Sequence, residues 1–206
     1  MKPRFYFAPH TCALASHIVL EHLGLDYEPI KLDFSANQQQ SPEYLAINPK
    51  GRVPALVTDR GVITETPALL LYLAQQRPDA GLVPLDDPFG LAELQAVNSW
   101  LCSTVHVAHA HRPRAYRWAD DPAAQQAMKA KVPQNMAECF DWIERELLRG
   151  PWVMGERFSI ADPYLFAITG WLPGDGVAIE RFPRVADHHV RLQALPAVQR
   201  ALAQHR

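Results

Sequence analysis

The dipeptide Val53-Pro54 limits how the first part of this chain can fold. A proline has no backbone N–H, so in a sheet it is confined to an edge strand or to the first residue of a strand. The residue before a proline is pushed toward extended backbone. We therefore expect a strand to begin at Pro54, and we expect Val53 to end a loop with its backbone N–H and C=O facing outward.

A helix start follows this strand closely. Thr66-Pro67 is typical of an N-cap residue followed by a proline at the first helical position. The first turn of a helix has unpaired N–H groups and a partial positive charge. The exposed peptide edge at Val53 and the anion-accepting helix end would together suit a small peptide that has a free carboxylate.

Residues 1–80 have the pattern of a mixed α/β domain. Strands are predicted from short alternating or apolar segments, and helices from apolar faces with capping residues. The predicted strands are 4–8, 28–33, 54–58 and 62–64, and the predicted helices begin at Thr11 or Cys12, at Ser41 and at Thr66. Proline, aspartate and glycine are frequent over 78–88, which indicates a linker that we place at residues 81–89.

Strand signals end after the linker, so residues 90–206 are predicted to form an all-helical domain. The predicted helices are 91–111, 123–148, 185–195 and 197–204. The second of these is expected to bend or break at Pro133. The segment Ser159-Ile160-Ala161-Asp162 is a variant of the capping box and is interpreted as structural. His188-His189 has no partner signal and is interpreted as surface.

The composition excludes several classes of protein. The formal net charge is −2 and the pI is about 6.5, which shows no basic footprint for nucleic acid. No apolar run approaches the roughly 20 residues that cross a bilayer, so no membrane partner is expected. The three cysteines are odd in number and far apart, which argues against a disulfide framework. We therefore expect a cytoplasmic protein.

Several motifs together indicate a family. They are Val53-Pro54, Glu65-Thr66, Cys12 within PHTCALASHI at 9–18, and GERFSIAD at 155–162. This combination resembles the cytosolic glutathione S-transferases, most closely the bacterial beta class, which carries a cysteine near the start of its first helix. The resemblance covers nearly the whole chain. It implies an α/β thioredoxin-like N-terminal domain, an all-α C-terminal domain, a homodimer, and glutathione as co-substrate with no metal.

The resemblance also implies how glutathione binds. Glu65 would accept a hydrogen bond from the ammonium of the γ-glutamyl group, and Thr66 would donate to the α-carboxylate of that group. Val53 would exchange two backbone hydrogen bonds with the cysteinyl residue, next to a cis peptide bond at Pro54.

Two positions depart from the family pattern. Asn37 stands where the family often has a lysine that meets the glycine carboxylate, and Cys102 replaces an asparagine. Loss of a lysine removes a charge-assisted hydrogen bond. We therefore expect modest glutathione affinity. Arg52 is a candidate cation to compensate, although the interpretation we favour for it is an exposed, solvated arginine.

Cys12 is the leading catalytic candidate. A thiol at a helix N-terminus has a lowered pKa and more thiolate. The alternative is that Cys12 is a small buried residue. Tyr6 and Thr11 are rival activators, because other transferase classes use a tyrosine or a serine hydroxyl. For Thr11 we favour a role as a helix cap.

The stripe Cys102, His106 and His109 has the spacing i, i+4, i+7 of one helix face. Zinc binding is one interpretation, and a polar stripe that lines a cleft is the one we favour. The resemblance places His109 opposite the glutathione sulfur, where it would tune the thiolate or donate a proton. His106 would lie one turn away at the same cleft.

The predicted reaction is conjugation of reduced glutathione to small apolar electrophiles bound between the domains, where Tyr116, Arg117 and Trp118 are candidate lining residues. One alternative is a glutathione-dependent thiol–disulfide oxidoreductase that uses Cys12. Another is a non-enzymatic binding or regulatory protein of the same fold. The sequence leaves open which electrophile is used and whether Cys12 activates, anchors or covalently links glutathione.

Overall fold

The computed structural model describes residues 2–206. Its N-terminal part alternates strands and helices in the predicted order. The elements are β1 (Arg4–Phe7), α1 (Ala13–His22), β2 (Glu28–Lys31), α2 (Pro42–Leu45), β3 (Ala55–Thr58), β4 (Gly61–Thr64) and α3 (Thr66–Gln75). All four predicted strands are present, each within two residues of its predicted ends. The strand after Pro54 begins at Ala55, because Pro54 itself cannot donate to the sheet.

The four strands form one mixed sheet in the order β2-β1-β3-β4. β1 pairs in parallel with β2 and antiparallel with β3, and β3 pairs antiparallel with β4. The inner strands β1 and β3 carry the buried side chains, such as Phe5 opposite Leu56. This arrangement confirms the predicted thioredoxin-like domain.

Helices alone make up the rest of the chain, which confirms the predicted all-helical second part. They are α4 (Pro88–Trp100), α5 (His106–Ala110), α6 (Pro122–Trp142), α7 (Ala161–Thr169), α8 (Pro183–Gln193) and α9 (Pro196–Gln204). A π-helical turn over Leu101–Val105 joins α4 to α5. The domain bounds 1–80, 81–89 and 90–206 stay a prediction.

Helix α6 continues through Pro133, so the predicted break is wrong, and the bend that was its alternative stays a prediction. A proline inside a helix removes one hydrogen bond and costs about 3 kcal/mol. Val132 and Met136 on the same helix are fully buried in the core, and burial of such side chains contributes roughly 1.5–3 kcal/mol each. Packing therefore outweighs the local cost of the proline.

Asp162 is the centre of a buried hydrogen-bond cluster at the start of α7. Its carboxylate accepts from the backbone N–H groups of Val153 and Ser159 at 2.8 and 2.7 Å. It also contacts His188 Nε2 on α8 at 3.0 Å. The structural role predicted for Ser159 and Asp162 is confirmed. The surface assignment of His188-His189 is wrong for His188, which is buried against Asp162.

Helix α1 connects the two halves of the molecule. It packs against α3 of the first domain and against α7 and α9 of the second. One apolar core runs through both domains, so side chains from both can meet at the N-terminal end of α1. No helix within residues 2–206 has the length and apolar character needed to span a membrane.

Candidate active site

The loop that ends at Val53 is held by buried side chains. The Tyr44 hydroxyl and the Asn48 amide both donate to the Arg52 carbonyl, each at 2.6 Å. Gly51 has a positive φ of 58°, and a Cβ at this position would collide with a neighbouring side chain, so the turn requires glycine. The Val53-Pro54 peptide bond is cis, as the resemblance implied.

Cys12 lies at the N-cap of α1 and is buried. Its Sγ is 3.8 Å from the Val53 carbonyl oxygen, in position to donate a hydrogen bond. Burial raises the pKa of the Cys12 thiol to about 11, although a hydrogen bond with Thr66 opposes this. The predicted lowering of this pKa is therefore wrong, because loss of solvation outweighs the opposing effects of Thr66 and Arg114.

We expect Cys12 of the glutathione-free protein to react slowly with iodoacetamide near neutral pH. At about pH 8, a thiol with the raised pKa of Cys12 has roughly a hundredfold less thiolate than an ordinary cysteine with a pKa of about 8.5. The measurement is the alkylation rate of the Cys12 peptide by mass spectrometry, followed as the pH is raised, with Cys12→Ser as the control for peptide assignment. A rate that levels off below about pH 8 would contradict the raised pKa.

The N-cap of α3 lies one residue earlier than predicted. Glu65 occupies the N-cap with a φ of 73°, which is uncommon for a residue with a Cβ. Thr66, the predicted N-cap, is the buried first residue of the helix. Lys50 contacts the Glu65 carboxylate and donates to the Thr64 hydroxyl at 2.8 Å. Strained conformations of this kind concentrate at ligand-binding sites.

His109 on α5 is held by a buried carboxylate. Its Nδ1 lies 2.8 and 3.0 Å from the two carboxylate oxygens of Asp175, and Asp175 also accepts from Arg112 Nε at 2.7 Å. The imidazole stacks on Trp171, with ring centroids 4.3 Å apart. A Cβ at Gly174 would lie 2.8 Å from a guanidinium nitrogen of Arg112, so glycine makes room for this contact.

This geometry determines which nitrogen of His109 is basic. A carboxylate accepts hydrogen bonds, so Nδ1 carries the proton and donates to Asp175. The remaining nitrogen, Nε2, then has the free lone pair. A histidine held in this way by a buried aspartate has Nε2 available to accept a proton.

These elements border a cleft between the two domains, called the interdomain cleft below. Its two lobes have cavity volumes of about 130 and about 290 Å³. The residues that line both lobes are Cys12, Arg52, Val53, His106, Arg114 and Arg117. The first lobe also contains His109, and the second also contains Pro54, Glu65 and Thr66. The structure thus brings together every predicted site residue except Asn37.

Asn37 is not at the interdomain cleft. It is exposed, has a positive φ of 56°, and its side-chain oxygen accepts from the Gln39 amide at 2.8 Å. Gln39 lines the first lobe instead. The position of Asn37 therefore gives no support to the predicted contact with the glycine carboxylate.

The rival activators occupy other positions. Tyr6 lines neither lobe; it is buried against Tyr44, with ring centroids 5.5 Å apart. Thr11 lines the first lobe, but its hydroxyl donates to the Ala8 carbonyl at 2.7 Å and accepts from the Ala13 N–H at 3.4 Å. These contacts agree with the capping role that we favoured for Thr11.

The stripe Cys102, His106 and His109 borders the cleft, as the favoured interpretation predicted. Burial, with His109 and Arg114 nearby, lowers the pKa of His106 to about 3, so its imidazole is neutral. In the part of the chain that the structure describes, no group of three or more His, Cys, Asp or Glu side chains is arranged to hold a metal ion.

Sequence reasoning missed Asp175 and Arg114. Asp175 is 66 residues from His109, and no local pattern connects the two. Arg114 follows α5 and lines both lobes. Its proximity in sequence to Arg112 and Arg117, just past the histidine stripe, was the one available signal. Tyr116 and Trp118, which were candidate lining residues, border the first and second lobes respectively.

Comparisons with known proteins agree with this geometry. A family model described as the glutathione S-transferase N-terminal domain matches residues 4–75, and one described as the C-terminal domain matches residues 109–203. Glutathione S-transferase GstA of Escherichia coli O157:H7 is 30% identical over 202 residues, which is 97% of this chain and 97% of that protein.

Solved structures extend the similarity to the whole fold. A glutathione transferase homologue from Sulfitobacter with bound glutathione has a TM-score of 0.95 and 44% identity, over 98% of each chain. The bacterial beta class glutathione S-transferase of Sphingomonas chungbukensis has a TM-score of 0.86 and 31% identity, again over 98% of each chain.

Proposed function

This chain belongs to the glutathione S-transferase family, and from that premise we propose that it joins glutathione to small electrophiles in the interdomain cleft. The supporting observation is the convergence of the Cys12 thiol, the Val53 peptide and the α3 N-terminus on a cleft that His109 also lines. These groups would bind a thiol, an extended peptide and a carboxylate respectively.

The first step is binding of glutathione along the edge that ends at Val53. The Val53 carbonyl and amide would pair with the cysteinyl residue. The positive end of α3, with the Thr66 hydroxyl, would bind the γ-glutamyl α-carboxylate, and Glu65 would bind the ammonium. Arg52 and Gln39, which line the first lobe, would bind the glycine carboxylate in place of the predicted Asn37.

The second step is ionisation of the glutathione thiol. His109 Nε2 would accept the thiol proton, and the Asp175 carboxylate would stabilise the resulting imidazolium through Nδ1. The thiolate then attacks the electrophilic carbon, a carbon–sulfur bond forms, and the leaving group departs with its electron pair or the adduct takes up a proton. Cys12 would remain a thiol and donate a hydrogen bond to the thiolate, since burial opposes its own ionisation.

The oxidoreductase alternative has less support. It requires Cys12 to attack a disulfide as a thiolate, whereas burial raises the pKa of Cys12 to about 11.

The predicted apolar electrophile has partial support, because Val107 and Trp118 give the second lobe an apolar part.

Homodimer formation and cytoplasmic location are part of the same proposal. Large apolar side chains remain exposed at the linker and at α4, where Leu85 is 40% and Phe89 is 75% exposed. Neighbouring exposed apolar side chains are typical of protein interfaces. A cytoplasmic homodimer that conjugates reactive electrophiles would act in detoxification.

Thermal unfolding with glutathione tests the proposed site. At a ligand concentration about 100-fold above Kd, reduced glutathione or S-methylglutathione should stabilise the protein by about 2.7 kcal/mol, which is roughly 5–10 °C for a chain of this size. Thr66→Val should weaken binding by about 10- to 100-fold, because it removes a hydrogen bond to a carboxylate.

The matched control is Thr104→Val, at an exposed threonine that lines neither lobe. It should bind like wild type. Absence of any shift with wild-type protein at saturating glutathione would contradict the proposed binding site. Equal effects of the two substitutions would contradict the role of Thr66.

A further inference from the structure

The interdomain cleft contains more positive charge than glutathione requires. Arg52, Arg114 and Arg117 line both of its lobes. Among residues 2–206, none of these three guanidinium groups lies within ion-pair distance of a carboxylate. Among the described residues that line the two lobes, Glu65 is the one acidic residue, and it forms an ion pair with Lys50.

Arg112 shows the contrasting case. It lies two residues before Arg114, and its guanidinium is paired with the buried Asp175. Arg114 has no such partner in the described part of the chain, although its side chain is partly buried. Burial and the nearby charge of Arg117 lower the pKa of Arg114. A cation in this setting is destabilised until an anion pairs with it.

The two carboxylates of glutathione leave two of these arginines without a carboxylate partner. The γ-glutamyl carboxylate is assigned to the N-terminus of α3, and the glycine carboxylate to Arg52 with Gln39. Arg114 and Arg117 lie on the segment that follows α5, and in the second lobe they adjoin the apolar surfaces of Val107 and Trp118. This part of the cleft is where the second substrate would lie.

We propose that the electrophile carries an acidic group, such as a carboxylate or sulfonate, on a small apolar body, and that Arg114 and Arg117 bind this group. The inference rests on the proposed transferase function and refines its substrate class. Guanidinium groups bind planar carboxylates through paired, charge-assisted hydrogen bonds. The apolar surfaces would then hold the rest of the electrophile beside the sulfur.

Binding of two matched glutathione conjugates tests the inference without requiring turnover. The probes are S-(4-carboxy-2-nitrophenyl)glutathione and S-(4-carbamoyl-2-nitrophenyl)glutathione, which differ only in the charge of one group. Isothermal titration calorimetry at constant ionic strength near neutral pH should show the carboxylate conjugate binding at least about tenfold more tightly. Arg114→Gln and Arg117→Gln should each remove most of the difference in affinity between the two conjugates. Each should change the affinity for the carbamoyl conjugate by less than about threefold.

Arg60→Gln is the matched control, because Arg60 is exposed in the turn between β3 and β4 and lines neither lobe. It should keep the full preference for the carboxylate. Equal affinity of wild type for the two conjugates would overturn the inference and leave glutathione binding intact. Equal weakening of both conjugates by the arginine substitutions would also overturn it, since the arginines would then serve the glutathione part. Failure of both conjugates and of glutathione itself to bind would overturn the proposed function as well.

Discussion

Replacing His109 with alanine is expected to lower kcat for glutathione conjugation by about 100- to 10,000-fold, the usual contribution of a positioned general base. Asp175→Asn should lower kcat at least about tenfold without removing the imidazole. Arg112 donates to one oxygen of Asp175, so an asparagine would turn its oxygen to Arg112 and its NH₂ to His109 Nδ1. Nε2 would then carry the proton and lose its function as a base.

The pH dependence separates this role from a structural one. Near neutral pH the thiol of bound glutathione requires a base, whereas above about pH 9 a thiol with a pKa near 8.5 ionises by itself. The defect of both variants should therefore shrink as the pH rises, with little change in the Kd for S-methylglutathione. Asp187→Asn, which alters an exposed aspartate on α8, is the matched control. A defect of constant size at every pH would refute proton transfer to His109.

Asp162→Ala is expected to lower the free energy of unfolding by about 3–5 kcal/mol, the cost of removing one partner from a buried charged cluster. The substitution leaves the buried N–H groups of Val153 and Ser159 without an acceptor, and each unsatisfied group costs about 1–3 kcal/mol. His188 on α8 loses its contact as well. The start of α7 and its contact with α8 would be destabilised together.

Urea denaturation of the full-length protein measures this effect. Asp141→Ala is a suitable control, since Asp141 is also helical and acidic but exposed on α6. It should change the free energy of unfolding by less than about 0.5 kcal/mol. A loss below about 1 kcal/mol for Asp162→Ala would contradict a stabilising role for the cluster.

The features that were predicted correctly depend on residues close together in the chain. Pro54 has no backbone N–H and restricts the conformation of Val53, which limits where β3 begins. The capping variant at Ser159 and Asp162 spans only three residues, and those residues form the expected hydrogen bonds. His188 on α8 contacts Asp162 but is 26 residues away from it in the sequence. It lies outside the capping pattern, which is why His188 was assigned to the surface.

The thiol of Cys12 shows where local reasoning fails. The position of Cys12 at a helix start was visible in the sequence, and a lowered pKa followed from that position alone. The structure places the Val53 carbonyl and the helical domain against the same sulfur. Desolvation by burial is the largest cause of the pKa shift and makes its direction upward, opposite to the prediction.

The sequence by itself determined the mixed α/β part, the helical part, and several of the residues that line the interdomain cleft, because steric limits at proline, helix capping and apolar periodicity act between near neighbours. Only the tertiary structure decided the pairing of His109 with Asp175, the position of Arg114 in the cleft, and the position of Asn37 outside it. These features depend on how segments far apart in the chain pack together. Packing determines which charged groups are desolvated and which of them form ion pairs or hydrogen bonds.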